Sequence, residues 1–360
     1  MACAALLEMP IPLIYALHSG NLYGTERMAL STAAGLLDRF TPLIMAPPGP
    51  ALEEAARRGY EVAPFRNPWQ FARALRRALA ACSQAAFLAT GVMHSTVCLA
   101  LNKVYRRRIA HLHLVHGGAA EALSYGRKSK LNGKPVEFVA VSHYVRERLL
   151  AHHVNDAQIR VIENFLPDAQ IKACPKRGPF GAGEIRRLIV ISRLDPEKRV
   201  GLLLDDLARD PESGRFEVRI FGNGWEGDAL KQRASAAGLN VSFVGFDSHV
   251  DERLAESDLL VHLCPVEPFG LAIVEAMAAG VPVLVPDAGG AGSLIEDGVS
   301  GFHFHAGDAD HLNAQLSAIS AAGSDRLNAM VRQGRHLLAT RFSEAGRLGD
   351  YRRILMEKLA

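Results

Sequence analysis

Val266-Glu-Pro-Phe-Gly-Leu-Ala-Ile-Val-Glu-Ala-Met-Ala-Ala-Gly280, running on into Val281-Pro-Val-Leu-Val-Pro286, decides how this chain is read. A short apolar run at 258–263 before it reads as a buried strand, and a polar loop at 264–269 follows. From about Gly270 the residues are small and aliphatic without proline, and Gly280 supplies a stop, so the pattern predicts a helix over 270–280. The apolar run 281–285 reads as the next strand. Strand, loop, helix and strand in this order make one βαβ unit, the building block of parallel sheets.

Two acids mark the junction. Glu267 lies in the loop and Glu275 about a turn and a half into the helix. At a rise of about 1.5 Å per residue, that separation is at most roughly 12 Å, the scale of a sugar plus a ribose rather than of one reacting bond. Free amides at Phe269, Gly270, Leu271 and Ala272 lie between the acids, and a helix N-terminus attracts phosphate. Alone, such acids would read as a loop carboxylate and a solvated helix charge. With phosphate-seeking amides between them they suit a nucleotide-sugar.

The stretch resembles the donor-binding signature of glycosyltransferase family 4, in Glu-Pro-Phe-Gly-Leu, a second Glu after seven intervening residues, and the Gly-Val-Pro-Val strand. The likeness covers most of residues 11–342 and is most specific between Ser192 and Gly301. It implies an α/β chain of the GT-B fold: two Rossmann-like doubly wound domains facing a central cleft, with a C-terminal helix crossing back to the first domain. It also implies a retaining, hexosyltransferase-type enzyme that uses a nucleotide diphosphate sugar as donor and needs no metal or other cofactor.

Length and composition agree with two soluble domains. A chain of 360 residues exceeds the roughly 250–300 at which single cores stop growing. Hydrophobic content of 49% with 22% charged residues is that of a globular protein. No apolar run reaches the roughly 18 residues of a membrane span, and the start, with Glu8 and no basic residue before Pro12, argues against a secretory signal. Five scattered cysteines without metal-type spacing fit a reduced, cytoplasmic setting. Charge is uneven: residues 1–175 carry 20 Lys and Arg against 12 Asp and Glu, net +8, and residues 176–360 carry 21 against 26, net −5. The basic clusters Arg73/Arg76/Arg77, Arg106/Arg107/Arg108 and Arg127/Lys128/Lys130/Lys134 suit an anionic membrane surface, at its inner face, or a lipid-linked acceptor; the alternative is a solvated helix face. No aromatic residues interleave them as a nucleic-acid platform would require.

In chain order, 11–17 reads as the first strand and 19–27 as its loop, entering a helix that continues to about Leu37. This loop resembles the family's Gly-Gly-Ala-Glu-Arg segment with Tyr23 for the first glycine, and Gly20 and Gly24 would let backbone approach a ligand. Further strands are expected at 42–45, 86–89, 109–115 and 138–141. His94 and His116 sit at two strand ends; a lone histidine is more often structural, but family members carry one after the strand that precedes His116, near the donor sugar. The crossing segment Val161-Ile-Glu-Asn-Phe-Leu-Pro167 departs from the family in Phe165, and the proline- and glycine-rich 167–183 reads as a linker. The expected division is 1–166 as acceptor-binding domain, 167–183 as linker, 184–342 as donor-binding domain and 343–360 as the returning helix.

In the second domain, a strand at 187–191 leads to Ser192-Arg-Leu-Asp-Pro-Glu-Lys198, close to the family's Gly-Arg-Leu-x-x-x-Lys, with a helix from about Val200. Arg193 and Lys198 at a strand end suit a diphosphate leaving group. Gly222-Asn-Gly224-Trp-Glu-Gly227, with Asp247 twenty residues on, matches a dinucleotide fingerprint, but that fingerprint belongs on the first strand of its domain, which the Arg193 loop already holds. The resemblance implies instead a glycine turn over the donor diphosphate, with Phe246 in the segment beside the base. In 287–301 Gly289 and Gly290 fit a backbone approach to ligand, while Ser293 stands where the family has Glu. Asp308-Ala-Asp310 resembles a metal motif but reads as the cap and first turn of a helix at 310–320, followed by helices at 324–340 and 343–359.

The resemblance implies these roles: Arg193, Lys198 and the amides near Phe269, Gly270 and Leu271 stabilise the leaving diphosphate, with Gly222 and Gly224 closing over it. Glu267 holds sugar hydroxyls and Glu275 the ribose, and on the first domain's side His116 is catalytic, near the donor sugar, and Gly24 approaches the donor. The acceptor is a glycan or a lipid-linked glycan in cell-surface polysaccharide, lipopolysaccharide or glycolipid synthesis. The alternatives are an NAD(P)-dependent oxidoreductase using the Gly222–Gly227 loop, and a non-catalytic glycosyltransferase-like subunit, motivated by Tyr23, Phe165 and Ser293.

Overall fold

The computed structural model describes residues 10–118, 120–181, 185–247 and 249–360; Cys3, Glu8 and the expected domain start at residue 184 lie outside the described residues. Two compact units share the chain. The first takes the residues up to Val141, Val145–Glu163 and Ala345–Ala360; the second takes Ser142–Tyr144 and Asn164–Glu344.

The first unit is built on seven strands: β1 Ile11–Ala16, β2 Phe40–Ala46, β3 Glu61–Pro64, β4 Gln84–Ala89, β5 Arg108–Val115, β6 Glu137–Ala140 and β7 Ile159–Val161. They pair in the order β3-β2-β1-β4-β5-β6-β7, every pair parallel. Parallel sheets are covered on both faces, so their inner strands read as unbroken apolar runs. That is why β1, β4 and β5 stand out in the sequence. β3 at the edge, half exposed and ending in Pro64, and β7 with three residues carry too little pattern to be seen. One core lies between β1, β4 and the helices Pro68–Ala80 and Val92–Tyr105, with Phe65, Phe71, Phe87 and Leu75 at its centre. Beneath it, Ser95 bridges two histidines on one face of β5: its Oγ lies 2.8 Å from His113 Nδ1 and 3.0 Å from His111 Nε2.

The helix Glu344–Leu359 belongs to this unit in all but its first residue. Arg352 donates to Asp38 Oδ1 at 3.2 Å, Arg108 to the Leu359 carbonyl at 2.8 Å, and Lys358 pairs with Glu137 at 2.9 Å. Leu348 lies where a Cβ on Gly35 would be, so glycine at 35 is what lets this helix lie close to Gly24–Ala34.

The second unit carries six parallel strands: β8 Arg187–Ile191, β9 Glu217–Phe221, β10 Val241–Gly245, β11 Leu259–Val261, β12 Val283–Pro286 and β13 Phe302–Phe304, in the order β10-β9-β8-β11-β12-β13. Its core joins Val190, Leu203, Leu204, Ile220, Val261 and Phe304. Asp258, one residue before β11, fastens the sheet's entrance: it accepts from Arg177 Nη2 and Arg187 Nη2, each at 2.8 Å, and from the Arg187 amide at 2.9 Å. The segment read as linker contains the helix Asp168–Ala173, whose six residues are too few to show a period among prolines. Among the described residues no helix is long and apolar enough to cross a membrane.

Candidate functional site

Open α/β sheets bind ligands at the carboxyl ends of their strands where strand order reverses. In the second sheet that point lies between β8, from which the chain winds outward through β9 and β10, and β11, which starts the other direction. The loops at this crevice are 192–199 and 262–270. They carry Arg193, Lys198 and Glu267.

Lys198 and Glu267 meet. The ammonium lies 2.6 Å from Glu267 Oε2, and both side chains are largely buried. His262, at the end of β11, brings its Nε2 to 3.8 Å from the same oxygen and finds no hydrogen-bond partner there. Burial raises Glu267, but the Lys198 charge, then His262, outweigh it and leave the carboxyl below its ordinary range. Burial lowers Lys198 and the Glu267 charge reverses this, so the ammonium stays protonated. His262 is pushed down to about 4, by burial first, and is neutral at pH 7. The crevice therefore holds one fixed cation, one fixed anion and one neutral donor or acceptor. Arg193 points elsewhere, to Asp195 at 2.8 Å and Glu197 at 3.1 Å, and it is half exposed.

The glycine turn after β9 packs on this same loop. Gly222 takes φ +126°, open to glycine alone, and a Cβ there would meet the Ser192 carbonyl. A Cβ on Gly224 would meet the Leu194 backbone. The Leu194 amide donates to the Asn223 carbonyl at 3.0 Å, and the Glu226 amide to the Leu194 carbonyl at 2.9 Å. These glycines thus hold the Arg193 loop to its neighbour. Asp247, the acid of the dinucleotide pattern, accepts from the His249 amide at 2.8 Å and pairs with Arg253 at 3.2 Å, which gives it a local structural use. Trp225, after β9, and Phe246, after β10, are both exposed.

Gly270, at φ +101°, turns the chain into the helix Leu271–Ala279, whose first-turn amides precede its own hydrogen bonds. Phe269 is buried, edge-on to Phe342 at 5.8 Å. Glu275 is buried inside the helix rather than on a solvated face, and its charge is felt by the Cys174 thiol. Gly289 and Gly290 differ from expectation: the space a Cβ would need is filled by the carbonyls of Pro265, Glu267 and Pro268, so these glycines seat the Glu267 loop rather than stand open. The Gly290 amide donates to the Glu267 carbonyl at 2.6 Å. Asp308 caps its helix, accepting from the His311 amide at 2.9 Å, and Asp310 pairs with Arg209 at 3.2 Å. Among the described residues no three His, Cys, Asp or Glu side chains are grouped to hold a metal ion.

The first sheet reverses between β1 and β4, and a cavity of about 580 Å³ opens there, at the loops after β1, β4 and β5. His116 lines it, its Nε2 buried without a partner; burial first, then His18, push it down to about 3. His94 lines it too, wedged against Phe65 and Phe71. Gly24 opens the helix Gly24–Ala34 behind Tyr23, where Glu26 accepts from the Tyr23 amide at 3.2 Å; Glu26 is thus a capping acid. Gly20 packs on the carbonyls of Pro47 and Pro48, not on open space. Reading the sequence alone missed His18, Thr90 and His262, and named Lys128 only within a basic cluster. His18 lies two residues after β1 and Thr90 directly after β4, the two joined by a 2.8 Å contact, and His262 follows β11, so position at a reversal point was the signal available.

Comparison with known proteins agrees with this architecture. The family model for glycosyl transferases group 1 matches residues 180–337, and that for glycosyltransferase family 4 matches residues 22–170. The chain belongs to the group 1 glycosyltransferases, of family 4 type and GT-B fold. It is 27% identical over 215 residues to the lipopolysaccharide core biosynthesis glycosyltransferase LpsE of Rhizobium meliloti, covering 58% of this chain and 62% of that protein. It is 31% identical over 132 residues to N-acetyl-alpha-D-glucosaminyl L-malate synthase of Bacillus anthracis, covering 36% of this chain and 35% of that one. These alignments thus span less than two thirds of either relative. In fold it is similar to Anabaena HepE in complex with UDP, with a TM-score of 0.80 and 21% identity over 96% of this chain and 100% of that one. A glycosyltransferase from Rickettsia africae gives a TM-score of 0.79 at 19% identity, over 97% and 99%.

Proposed function

We propose that this group 1 glycosyltransferase moves a hexosyl residue, with retention, from a nucleotide diphosphate sugar held by the second unit to an acceptor hydroxyl presented by the first. The observation that carries the reading is the buried Lys198–Glu267 pair at 2.6 Å in the crevice between β8 and β11. As the sugar leaves, the diphosphate gains charge while the anomeric carbon becomes oxocarbenium-like. Lys198 supplies fixed positive charge for the first change. Arg193, released from Asp195 and Glu197, adds a planar donor fork. The amides of Gly270 and Leu271 add helix-terminal donors. Glu267, held ionised, accepts from sugar hydroxyls, and Glu275 from the ribose. These cations do the work a metal would do elsewhere, so we assign no metal. Leaving phosphate takes the acceptor proton on the face from which the diphosphate departs.

Lipopolysaccharide core biosynthesis is the setting named for LpsE. We extend that setting to this chain, at the cytoplasmic face of a membrane. The support is a surface of the first unit where Trp69, Arg73, Arg76 and Arg77 stand exposed on the helix Pro68–Ala80. Arg107 donates to the Leu79 carbonyl at 3.0 Å and brings exposed Lys103, Val104 and Arg106 alongside. Each cation near an anionic leaflet contributes about 1 kcal/mol. The test is release of nucleoside diphosphate from a panel of nucleotide sugars, with the anomeric configuration of the product read by NMR. Turnover with retention, lost in Glu267→Ala, is expected; turnover with inversion overturns the mechanism, and none with any donor overturns the activity.

A further inference from the structure

The first unit's cavity is cationic without compensation. Arg66, Arg127 and Lys128 are its cations, the histidines His18, His94 and His116, all held below their ordinary value chiefly by burial, line it beside them, and no Asp or Glu does. Lys128 is the unusual member. It is 8% exposed, its ammonium donates to the Leu123 carbonyl at 3.0 Å, and among the described residues no carboxylate lies within ion-pair distance. Burying an ammonium costs several kcal/mol unless an anion accompanies it. The second unit meets that requirement at Lys198 with Glu267; the first unit leaves it unmet. Around the same space His94, 2% exposed, and His116 each keep a buried ring nitrogen without a partner. Buried polar atoms left open at a cavity wall are what a ligand's oxygens complete. Burial, and next Arg127, push the Lys128 ammonium down to about 8, the direction that a bound anion would reverse.

We infer that this cavity binds an anionic group carried by the acceptor, a phosphate or a carboxylate, with Lys128 as its central contact and Arg66 and Arg127 at its mouth. That the anion belongs to an acceptor rests on the glycosyltransferase reading above; that the cavity takes an anion does not. The acceptor class is then a sugar phosphate, a lipid-borne phosphosugar or an acidic sugar, rather than a neutral glycan. The arginines reach the anion first and Lys128 holds it where water is excluded.

The protein, saturated with UDP so that its own phosphate site is filled, is titrated with methyl phosphate, with glucuronate and with uncharged methyl glucoside, following the histidine ring resonances by NMR. We expect at least one anion to bind saturably and shift the rings of His94 and His116, and the preferred anion identifies the source. Lys128→Met lowers that affinity at least tenfold, and Arg66→Ala with Arg127→Ala lowers it several-fold, with UDP affinity unchanged in both. The inference is overturned if neither anion binds, if methyl glucoside binds as tightly, or if Lys128→Met keeps full anion affinity. Should Lys128→Met fail to fold, the double arginine variant decides, and unchanged anion affinity there overturns the inference. Loss of UDP binding by the wild type with anion binding intact would sink the glycosyltransferase reading and leave this one standing.

Discussion

The two units place a crevice at the same topological point and furnish it in opposite ways. In the second, the crevice's buried ammonium and carboxylate are paired, Lys198 with Glu267, and the glycines of two loops, Gly222/Gly224 and Gly289/Gly290, pack on the loops that carry them. In the first, the charges have one sign, and histidine nitrogens and an ammonium face the cavity without anionic partners among the described residues. A paired site is rigid before its ligand arrives and suits a donor whose diphosphate never changes. An unpaired site depends on its ligand for neutrality and selects by charge. On the proposed function, the difference lets the second unit take a common donor chemistry and the first select a particular acceptor.

Breaking the pair is expected to have the largest effect. Lys198→Met or Glu267→Met leaves one buried charge alone, which costs about 3–5 kcal/mol, and the double replacement recovers much of that stability. Turnover falls by about 10²–10³ in the lysine variant through lost leaving-group stabilisation, and stays low in the double variant. Denaturation midpoints and steady-state kinetics of the three proteins check this. If the double variant regains activity, the pair is structural only.

Next come the glycines. Gly224→Ala puts a methyl into the Leu194 backbone and must displace the Arg193–Lys198 loop, so nucleotide affinity falls more than about tenfold. Gly20→Ala meets the Pro47 and Pro48 carbonyls in the other unit, so it lowers stability and leaves nucleotide affinity alone. Calorimetry on both variants sharpens the contrast; equal losses would erase it.

Acid separates the units further. His94 is held down to about 4 and His111 to about 3, in each case chiefly by burial, and His116 likewise to about 3. Each binds fewer protons folded than unfolded below its ordinary value of 6.5, so its contribution is full above that pH and is lost as pH falls toward 3–4. The limiting slope is about 1.4 kcal/mol per pH unit for each group. The second unit has His262 acting the same way; burial raises Asp206 to about 6 there and also raises Glu26 in the first unit, and each favours the fold as pH drops toward its ordinary value, so the contrast rests on the first unit's several lowered histidines. At Asp258, burial pushes upward but the hydrogen bonds from Arg187 and Arg177 outweigh it and hold the group at about 2, so its contribution lasts to below pH 3.8. Hydrogen-exchange protection should therefore fall first in the first unit between pH 6.5 and 5. The smallest effect is expected at Asp308→Ala, which removes a helix cap worth about 1 kcal/mol and leaves both crevices unchanged, as thermal unfolding and nucleotide titration would show.

Legibility in the sequence follows the same division. The second crevice is spelled out by short runs, Ser192–Lys198, Gly222–Gly227 and Glu267–Glu275, because each run lies on one loop and its spacing is its geometry. What those runs do was less readable. Gly289, Gly290 and Gly20 looked like ligand contacts but meet neighbouring carbonyls, since a sequence shows that backbone comes close to something without showing to what. The first crevice collects His18, Thr90, His116 and Lys128 from four separate segments, and no spacing joins them. Lys128 sat in a run of basic residues that reads as a membrane or lipid-linked-acceptor surface or else as a solvated face; only packing shows that Arg127 and Lys130 are exposed and Lys128 buried. Interior strands were visible as apolar runs, whereas β3, β7 and β13 were too short or too polar for their period to emerge.

The central claim is that the second unit's crevice binds a nucleoside diphosphate through Lys198. Its most direct test is calorimetric titration with UDP, GDP, ADP and NAD, with and without EDTA, on the wild type and on Lys198→Met. One diphosphate binding tightly, indifferent to EDTA and weakened at least tenfold in the variant, is the predicted result. Binding of NAD alone, or of a diphosphate with equal affinity in both proteins, would contradict it.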